Sequence, residues 1–359
     1  MAFNDISQQL QQQLQQAFVD KRGVSVVAGG TKQFYGRDPG ITYEALDVSD
    51  HKGVVSYEPT ELVVTARAGT TVSELNQVLA EHGQRLPFEP PVFNGEATLG
   101  GTLACGLSGP SRPYTGAARD FVLGTNIING RAQLLRFGGE VIKNVAGYDV
   151  SRLMVGAMGT LGVILQASLK VLPIPQKETT IIFHLERDSA LDLMNDFAAR
   201  PLPVSATCFY GDILFVRLSG SEAAVESAYM ALGGERLPKT DEVWQSLREF
   251  QHPFFDTELP LWRIAMTTAA RPELPGEVMI EWGGAQWWLH SDSPAEEIRL
   301  AAARCGGHAT LFRGGDRSSE IFHPLPPKMA ALQERIRLAF DPHGILNPGR
   351  IEALNKKQS

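Results

Sequence analysis

The sequence predicts an α+β protein built as two domains with a closing C-terminal segment. Three observations carry that reading. At 359 residues the chain exceeds the size at which a single hydrophobic core stops growing. Its first hundred residues alternate β-rich run, glycine turn and helical pattern. At 172–177 the stretch LPIPQK sets two prolines where a central strand cannot run, and a new α+β pattern begins beyond it. The expected units are 1–174, 178–328 and 329–355.

Taken in order, Asp5 and Gln8 resemble a capping box ahead of Ile6, Leu10, Leu14 and Phe18 at helical spacing. Lys21 and Arg22 suit the last turn, with Gly23 as the stop. The β-rich run VSVVA (24–28) then feeds straight into Gly29-Gly30-Thr31, and LVVTARAG (62–69) is a second strand ending in a turn. Thr71 and Glu74 cap a helix carrying Val72, Leu75, Val78 and Leu79 that stops at Gly83. Residues 94–124 hold seven glycines, a density that suits backbone approaching a ligand closely or adopting positive φ repeatedly. Strands resume at FVLGTNII (121–128), LLRF (134–137) and VILQASLKV (163–171). Beyond the prolines, TTIIFHL (179–185), a helical stretch around 191–197, TCFY (207–210) and ILFVRL (213–218) form the second α+β unit. MAALQERIRLAF (329–340) places Met329, Leu332, Ile336 and Phe340 on one helical face, and DPHGILNPGR follows as a turn-rich closing strand or loop.

Composition excludes several classes of function. A net charge of −7 with no Lys/Arg run argues against a nucleic-acid partner. The polar start MAFNDISQQLQQQLQQ lacks the apolar core of a secretory signal. The long apolar stretch 153–169 is interrupted by Gly156, Gly159 and Gly162 and by Thr160, Gln166 and Ser168, so strand and turn fit it better than a membrane span. Disorder is expected only at the termini, as in the tail 356–359. Cys105, Cys208 and Cys305 make neither a disulfide framework nor a CxxC metal pattern. That usage fits a reducing, cytoplasmic compartment, and it leaves the chain unable to ligate a four-cysteine iron–sulfur cluster by itself. No HExxH or clustered His/Cys set supports a metal site.

Three glycine turns carry the chemistry. Gly29-Gly30-Thr31 and Ala68-Gly69-Thr70 each follow a strand, and Thr98-Leu99-Gly100-Gly101 makes a third. Each can aim several backbone N–H groups at one point, with a threonine hydroxyl as a further donor. A diphosphate needs such a concave array, because amides supply partial positive charge without bulk. Two other nucleotide folds fail on spacing. The P-loop pattern GxxxxGK[ST] is absent, and Gly156-Ala-Met-Gly159-Thr-Leu-Gly162 has the wrong intervals for a Rossmann GxGxxG.

The ordered series VVAGGTKQFYG (26–36), VTARAGTTVSEL (64–75), GEATLGGTLACGLSGP (95–110), RDFVLG (119–124) and GTLGVI (159–164) resembles the FAD-binding domain of the vanillyl-alcohol-oxidase (PCMH-type) flavoproteins. With NVAGYDVSRLMVGAMGTLGVI (144–164), EWGGAQWWL (281–289) and FDPHGILNPGR (340–350), it is similar over essentially its whole length to the smaller FAD-binding subunits of bacterial 2-hydroxy-acid (glycolate) oxidases. The resemblance implies a two-subdomain flavin-binding fold, a smaller α+β cap domain and a C-terminal segment returning to the flavin domain. It implies that Ala28, Gly29, Gly30, Thr31, Lys32 and Gln33 wrap the FAD diphosphate, with Gly69 and Thr70 in the second turn. Thr98, Leu99, Gly100, Gly101, Ser108 and Gly109 would follow the diphosphate and ribityl chain, with Asp120 beyond them. Gly162, Val163 and Ile164 would line the adenine end, and Asn347, Gly349 and Arg350 would return towards the flavin ring.

The resemblance also implies partners: a larger flavoprotein subunit and an iron–sulfur subunit that carries electrons onward, with membrane contact only peripheral and through those partners. The substrate would be a small 2-hydroxy acid oxidised by hydride transfer to the flavin. Covalent relatives carry a histidine next to the first loop, whereas this chain has none before His51. Cys105 is read as a small buried thiol rather than a thioether site, so the FAD is expected to be dissociable. The paired histidines and acid of D-2-hydroxy-acid dehydrogenases are missing, leaving His308 in CGGHATLFRGG as a lone candidate. Arg313, Arg317 and Arg350 are candidate anchors for a substrate carboxylate, since a guanidinium matches one in bidentate fashion.

Overall fold

The computed structural model describes residues 4–139 and 148–353. The 144–147 part of the NVAGYDVSRLM motif and the tail 356–359 lie outside the described residues.

Helix α1 (Ser7–Asp20) buries Leu10, Leu14 and Ala17. Both of its ends differ from the sequence expectation. Ile6 is the N-cap without a side-chain bond, because Asp5 bonds Arg67 at 2.9 Å and the Ser7 amide at 3.0 Å. At the other end Lys21, not Gly23, takes the left-handed conformation (φ 53°). Gly23 serves close packing instead, since an added methyl would stand 2.6 Å from the Tyr43 ring. Next, β1 (Val24–Val27) pairs in parallel with β2 (Glu44–Asp47). Strands β3 (Val54–Glu58) and β4 (Val63–Arg67) lead to α2 (Val72–Ala80), whose Thr71/Glu74 capping box is formed in both directions.

After β5 (Gln84–Arg85), the glycine-rich stretch contains helix α3 (Leu99–Cys105) and the short α4 (Arg112–Thr115). Strands β6 (Val122–Ile128) and β7 (Leu134–Gly138), helix α5 (Val150–Met154), β8 (Val163–Lys170) and β9 (Leu172–Pro173) complete the first unit. Its main sheet is antiparallel in the order β3-β4-β8-β6-β7. Leu75 and Leu79 of α2 and Leu99 and Leu103 of α3 pack on Val64, Ala66, Ala167 and Leu169 of that sheet. The apolar stretch 153–169 is therefore helix end, turn and buried strand. Among the described residues no helix is long and apolar enough to cross a membrane.

The second unit contains β10 (Lys177–His184), α6 (Arg187–Ala198), β11 (Val204–Tyr210), β12 (Ile213–Gly220), α7 (Glu222–Leu232), β13 (Glu235–Arg236) and α8 (Thr240–Arg248). It continues with β14 (Leu261–Ala265), β15 (Glu277–Glu281), β16 (Gln286–His290), α9 (Ala295–Arg304) and β17 (His308–Arg313). These strands form one antiparallel sheet in the order β13-β10-β12-β11-β15-β16-β14-β17. Side chains alternate between its faces, as a period of two requires. Ile264, Ile280, Trp287 and Leu289 meet Leu191 and Met194 of α6 and Ile298 of α9 on one side. On the other, Cys208, Met279, Trp288 and Phe312 meet Trp244 and Leu247 of α8 together with Tyr35, Leu107 and Met158 of the first unit. The two units thus share an apolar core.

Helix α10 (Pro327–Phe340) shows its expected face only in part. Ile336 and Phe340 pack against the core of the first unit, while Met329 and Leu332 are exposed. The chain then returns alongside β1. The Val24 amide donates to the Ile345 carbonyl at 2.7 Å, and the Asn347 amide donates to the Val24 carbonyl at 2.9 Å. The fold is α+β and its C-terminal segment closes on the first unit.

Candidate cofactor site

Strand β1 ends at Val27 and releases the chain into a loop that forms one wall of a cavity of about 460 Å³. Ala28, Gly29, Gly30, Thr31, Lys32 and Gln33 all line it. Gly30 takes φ +67°, which favours glycine, and a methyl on Gly29 would stand 2.0 Å from the Glu96 carbonyl oxygen. The amides of Gly29, Gly30, Thr31 and Lys32 make no hydrogen bond with other described residues. The carbonyls where the loop ends are engaged: Arg350 donates to those of Lys32 (3.3 Å), Gln33 (2.8 Å) and Tyr35 (2.5 Å). One guanidinium therefore holds the end of the loop, and four successive N–H groups before it are left for a ligand. Such a nest binds anions, phosphates above all.

The other two turns support this one. Gly69 and Thr70 lie outside the cavity. A methyl on Gly69 would fall within 2.8 Å of the carbonyl oxygens of Val48, Ser49 and His51, and Thr70 bonds Gly53 through its hydroxyl. The carbonyls of this turn take the amides of the third: Gly100 N–H donates to Ala68 and Leu99 N–H to Thr70, both at 2.8 Å. The Gly101 amide goes to Thr98 Oγ1, the N-cap of α3. Thr98, Gly100 and Gly101 consequently lend the cavity surface rather than free donors.

Gly162 and Ile164 also line the cavity, as do Asn347 and Arg350 of the returning segment. Asn347 ties that segment down, accepting from the Val26 amide and donating to the Met158 carbonyl, both at 2.7 Å. The remaining residues expected at the cofactor lie elsewhere. Leu99 and Val163 are fully buried in neighbouring cores. Ser108 accepts from the Ala118 amide, Gly109 packs on the Glu89 backbone, and Asp120 accepts from the Ala117 amide beside Arg152.

The catalytic candidates divide similarly. His308 opens β17 outside the cavity with its side chain exposed, 6.4 Å from the His323 ring, and partial desolvation and the nearby Arg263 charge favour its neutral form. Arg313 donates to the Phe255 carbonyl, and Arg317 to those of Leu311 and Gly36. These arginines brace loops, as Arg350 does, because buried carbonyls at loop bends require donors. A different pair of cations lacks carboxylate partners among the described residues. The Arg112 guanidinium sits 4.4 Å from the Trp282 ring centroid and that of Arg263 sits 5.0 Å from it. Arg263 donates to Gln286 at 2.6 Å. Gln286 and Trp288 both donate to Glu281, whose buried carboxyl is pushed up to about 7 by desolvation. Sequence reasoning missed this stack because its members come from α4, β14 and the turn after β15 and share no motif.

Cys105 lines the cavity, and burial raises its thiol above the ordinary range. It is thus held as a thiol rather than the nucleophilic thiolate. No group of three or more His, Cys, Asp or Glu side chains among the described residues is arranged to hold a metal ion.

The cavity, its free amides and its flanking glycines fit a dinucleotide diphosphate, and comparison with known proteins identifies the ligand. The family profile described as FAD binding domain matches residues 6–138. Over 350 residues the chain is 45% identical to glycolate oxidase subunit GlcE of Escherichia coli (strain K12), covering 97% of this chain and 98% of the relative. Over 154 residues it is 29% identical to glycolate oxidase subunit GlcD of Bacillus subtilis (strain 168), covering 42% of this chain and 33% of that one. Among solved structures, p-cresol methylhydroxylase with substrate bound shares the fold, with a TM-score of 0.70 at 15% identity over 98% of this chain and 88% of that one. FAD is the cofactor of this PCMH-type fold. The chain belongs to the family of the glycolate oxidase GlcE subunits.

Proposed function

We propose that this protein is the FAD-binding subunit of a multi-subunit glycolate dehydrogenase, oxidising glycolate to glyoxylate and passing the electrons to partner subunits. The nest of four unengaged amides in a cavity of a GlcE-family chain carries the reading. When bound, FAD supplies the acceptor for a hydride from the substrate Cα. The chain itself would hold the diphosphate on Gly29–Lys32 and the adenine end near Gly162 and Ile164, with Arg350 keeping the loop in shape. Arg112 and Arg263, two cations with no ion pair among the described residues, would hold the substrate carboxylate; Arg313, Arg317 and Arg350 are already engaged with carbonyls. With Thr31 and Lys32 in the loop and Cys105 protonated, the FAD would be non-covalent.

Three scattered cysteines supply no cluster ligand set, which supports a separate iron–sulfur subunit. The likeness of 154 residues of the chain to a GlcD subunit supports a larger flavoprotein partner. The complex would work in the cytoplasm, reaching a membrane only through its partners. We place the unit boundaries at 1–174, 178–328 and 329–355, in keeping with a second sheet that begins at Lys177.

Adding glycolate or D-lactate anaerobically to the isolated, FAD-loaded chain tests the reading. Bleaching of the flavin is expected; a yellow protein that stays oxidised would favour a flavin relay without substrate chemistry. The position of His308 outside the cavity favours that second reading. Acid precipitation checks the attachment, since dissociable FAD passes into the supernatant.

A further inference from the structure

One charge inside the cavity has no counter-ion among the described residues. Lys32 is 7% exposed and lines the cavity. Its ammonium donates to Thr31 Oγ1 at 3.1 Å and lies 5.2 Å from the centroid of the Phe93 ring. Among the described residues no carboxylate reaches ion-pair distance of it. Glu249, the carboxylate whose field it feels, is engaged with the Val92 and Phe93 amides and with Arg248. Burying an ammonium without a partner opposes folding, so such a group is retained where a ligand provides the missing charge.

The surroundings indicate which part of FAD provides it. Phe34, which lines the cavity, packs edge-on against Phe93 at 6.0 Å between centroids, and Cys105 completes this end. Two aromatic rings and a protonated thiol suit a flat heteroaromatic ring and offer a phosphate nothing. The free amides of the loop already serve the diphosphate.

Resting on the FAD reading above, we propose that the Lys32 ammonium faces the isoalloxazine ring and stabilises the negative charge that the ring gains on reduction. The substrate loses a hydride from Cα to the ring and a proton from its hydroxyl to solvent, giving the 2-oxo acid. The hydride brings the ring two electrons and one proton, leaving it with one net negative charge, which the ammonium offsets. Lys32 thereby sets the potential at which this subunit holds electrons before they pass to a partner.

The test uses full-length protein saturated with FAD, comparing wild type with K32M, K32Q and K32R. Bound FAD per chain, the two-electron midpoint potential and the affinity for sulfite, an anion that adds to flavins carrying a nearby positive charge, are measured for each. K32M and K32Q are expected to retain FAD at saturation and to bind sulfite at least tenfold more weakly. Their midpoint potential should fall by about 30 mV or more, the two-electron equivalent of a tenfold change, and K32R should restore both properties. If FAD affinity falls while the potential and sulfite binding of the saturated protein stay at wild-type values, Lys32 anchors the phosphates and the proposal fails. It fails equally if none of the three measurements moves. A wild-type chain that takes up no FAD overturns the cofactor reading itself, a result distinct from the other two.

Discussion

Arg350 decides which way the first loop presents its peptide groups. Its guanidinium lies more than 300 residues along the chain from the carbonyls it holds, at Lys32, Gln33 and Tyr35. R350A should leave the Gln33 and Tyr35 oxygens without donors, and the Lys32 oxygen with the Tyr35 amide alone, and let the loop turn its amides away from the cavity. Losing two to three such bonds corresponds to about 2–4 kcal/mol, or roughly thirtyfold to several hundredfold weaker FAD binding, measured by flavin fluorescence titration. An unchanged FAD affinity with lowered glycolate turnover would instead mark Arg350 as a substrate anchor. Lys32 yields a prediction in pH. Desolvation lowers its ammonium to about 8 in the apo-protein, against the opposing fields of Cys105 and Glu249. The anionic reduced ring favours the charged form and the neutral oxidised ring does not, so the preference for reduced over oxidised FAD is strongest below pH 8. It should weaken as pH rises through 8, by up to tenfold per pH unit. In K32M that dependence should vanish between pH 7 and 9.5; a slope that persists would assign it to another group. The residue types were legible in the sequence and their roles were not. A motif shows a glycine loop, but it cannot show that an arginine from the far end of the chain takes its oxygens, or that Arg112 and Arg263 meet over Trp282.

Among the elements, strands β1, β4, β6, β7 and β8 and the Thr71/Glu74 cap were readable because their signals are local: runs of β-branched residues and a capping box four residues long. Strands β2 and β3 were not read. The glycine-rich stretch shows the opposite case. Its density suggested backbone close to a ligand or repeated positive φ; Gly95, Gly106 and Gly116 do take positive φ, while Gly100 and Gly101 line the cavity from inside helix α3. Gly100 is there because an added methyl would stand 2.7 Å from Ala68 Cβ, where α3 crosses the end of β4. Gly69, Gly109 and Gly162 likewise meet neighbouring protein atoms. Close approach of chain to chain and of chain to ligand leave the same mark in a sequence. G100A should therefore act through packing, costing about 1–3 kcal/mol as overpacked sites do. Adding A68G should recover part of that loss, since the nearest clash is with the Ala68 methyl. Denaturant unfolding of the two single variants and the double variant checks this. Strict additivity would show that the two residues do not meet.

At the scale of the whole molecule, two sheets that could each form a separate unit are joined by one apolar core and by a buried carboxylate. Tyr35, Leu107 and Met158 enter the core beneath Trp288 and Phe312, and Glu249 reaches from beyond α8 to accept the amides of Val92 (3.0 Å) and Phe93 (2.8 Å). Phe93 and Asn94 hold positive φ, at 44° and 59°, in a turn closed by the Gly95 and Ala97 amides on the Val92 carbonyl. Because Phe93 is the ring beside Lys32, the second unit fixes part of the cofactor site in the first. Removing the carboxylate leaves two amides without acceptors in a protein interior, which corresponds to about 2–4 kcal/mol lost at the junction rather than within either core. The tryptophan positions allow this to be followed, since all five (Trp244, Trp262, Trp282, Trp287 and Trp288) lie in the second unit while the FAD cavity lies in the first. In the wild type, flavin release and tryptophan fluorescence should change at one denaturant concentration, as expected of a single cooperative body. In E249A flavin release should come first, at clearly lower denaturant, with the tryptophan transition little displaced. If both transitions shift together, Glu249 contributes to overall stability alone. If neither moves, the shared aromatic core joins the units without it.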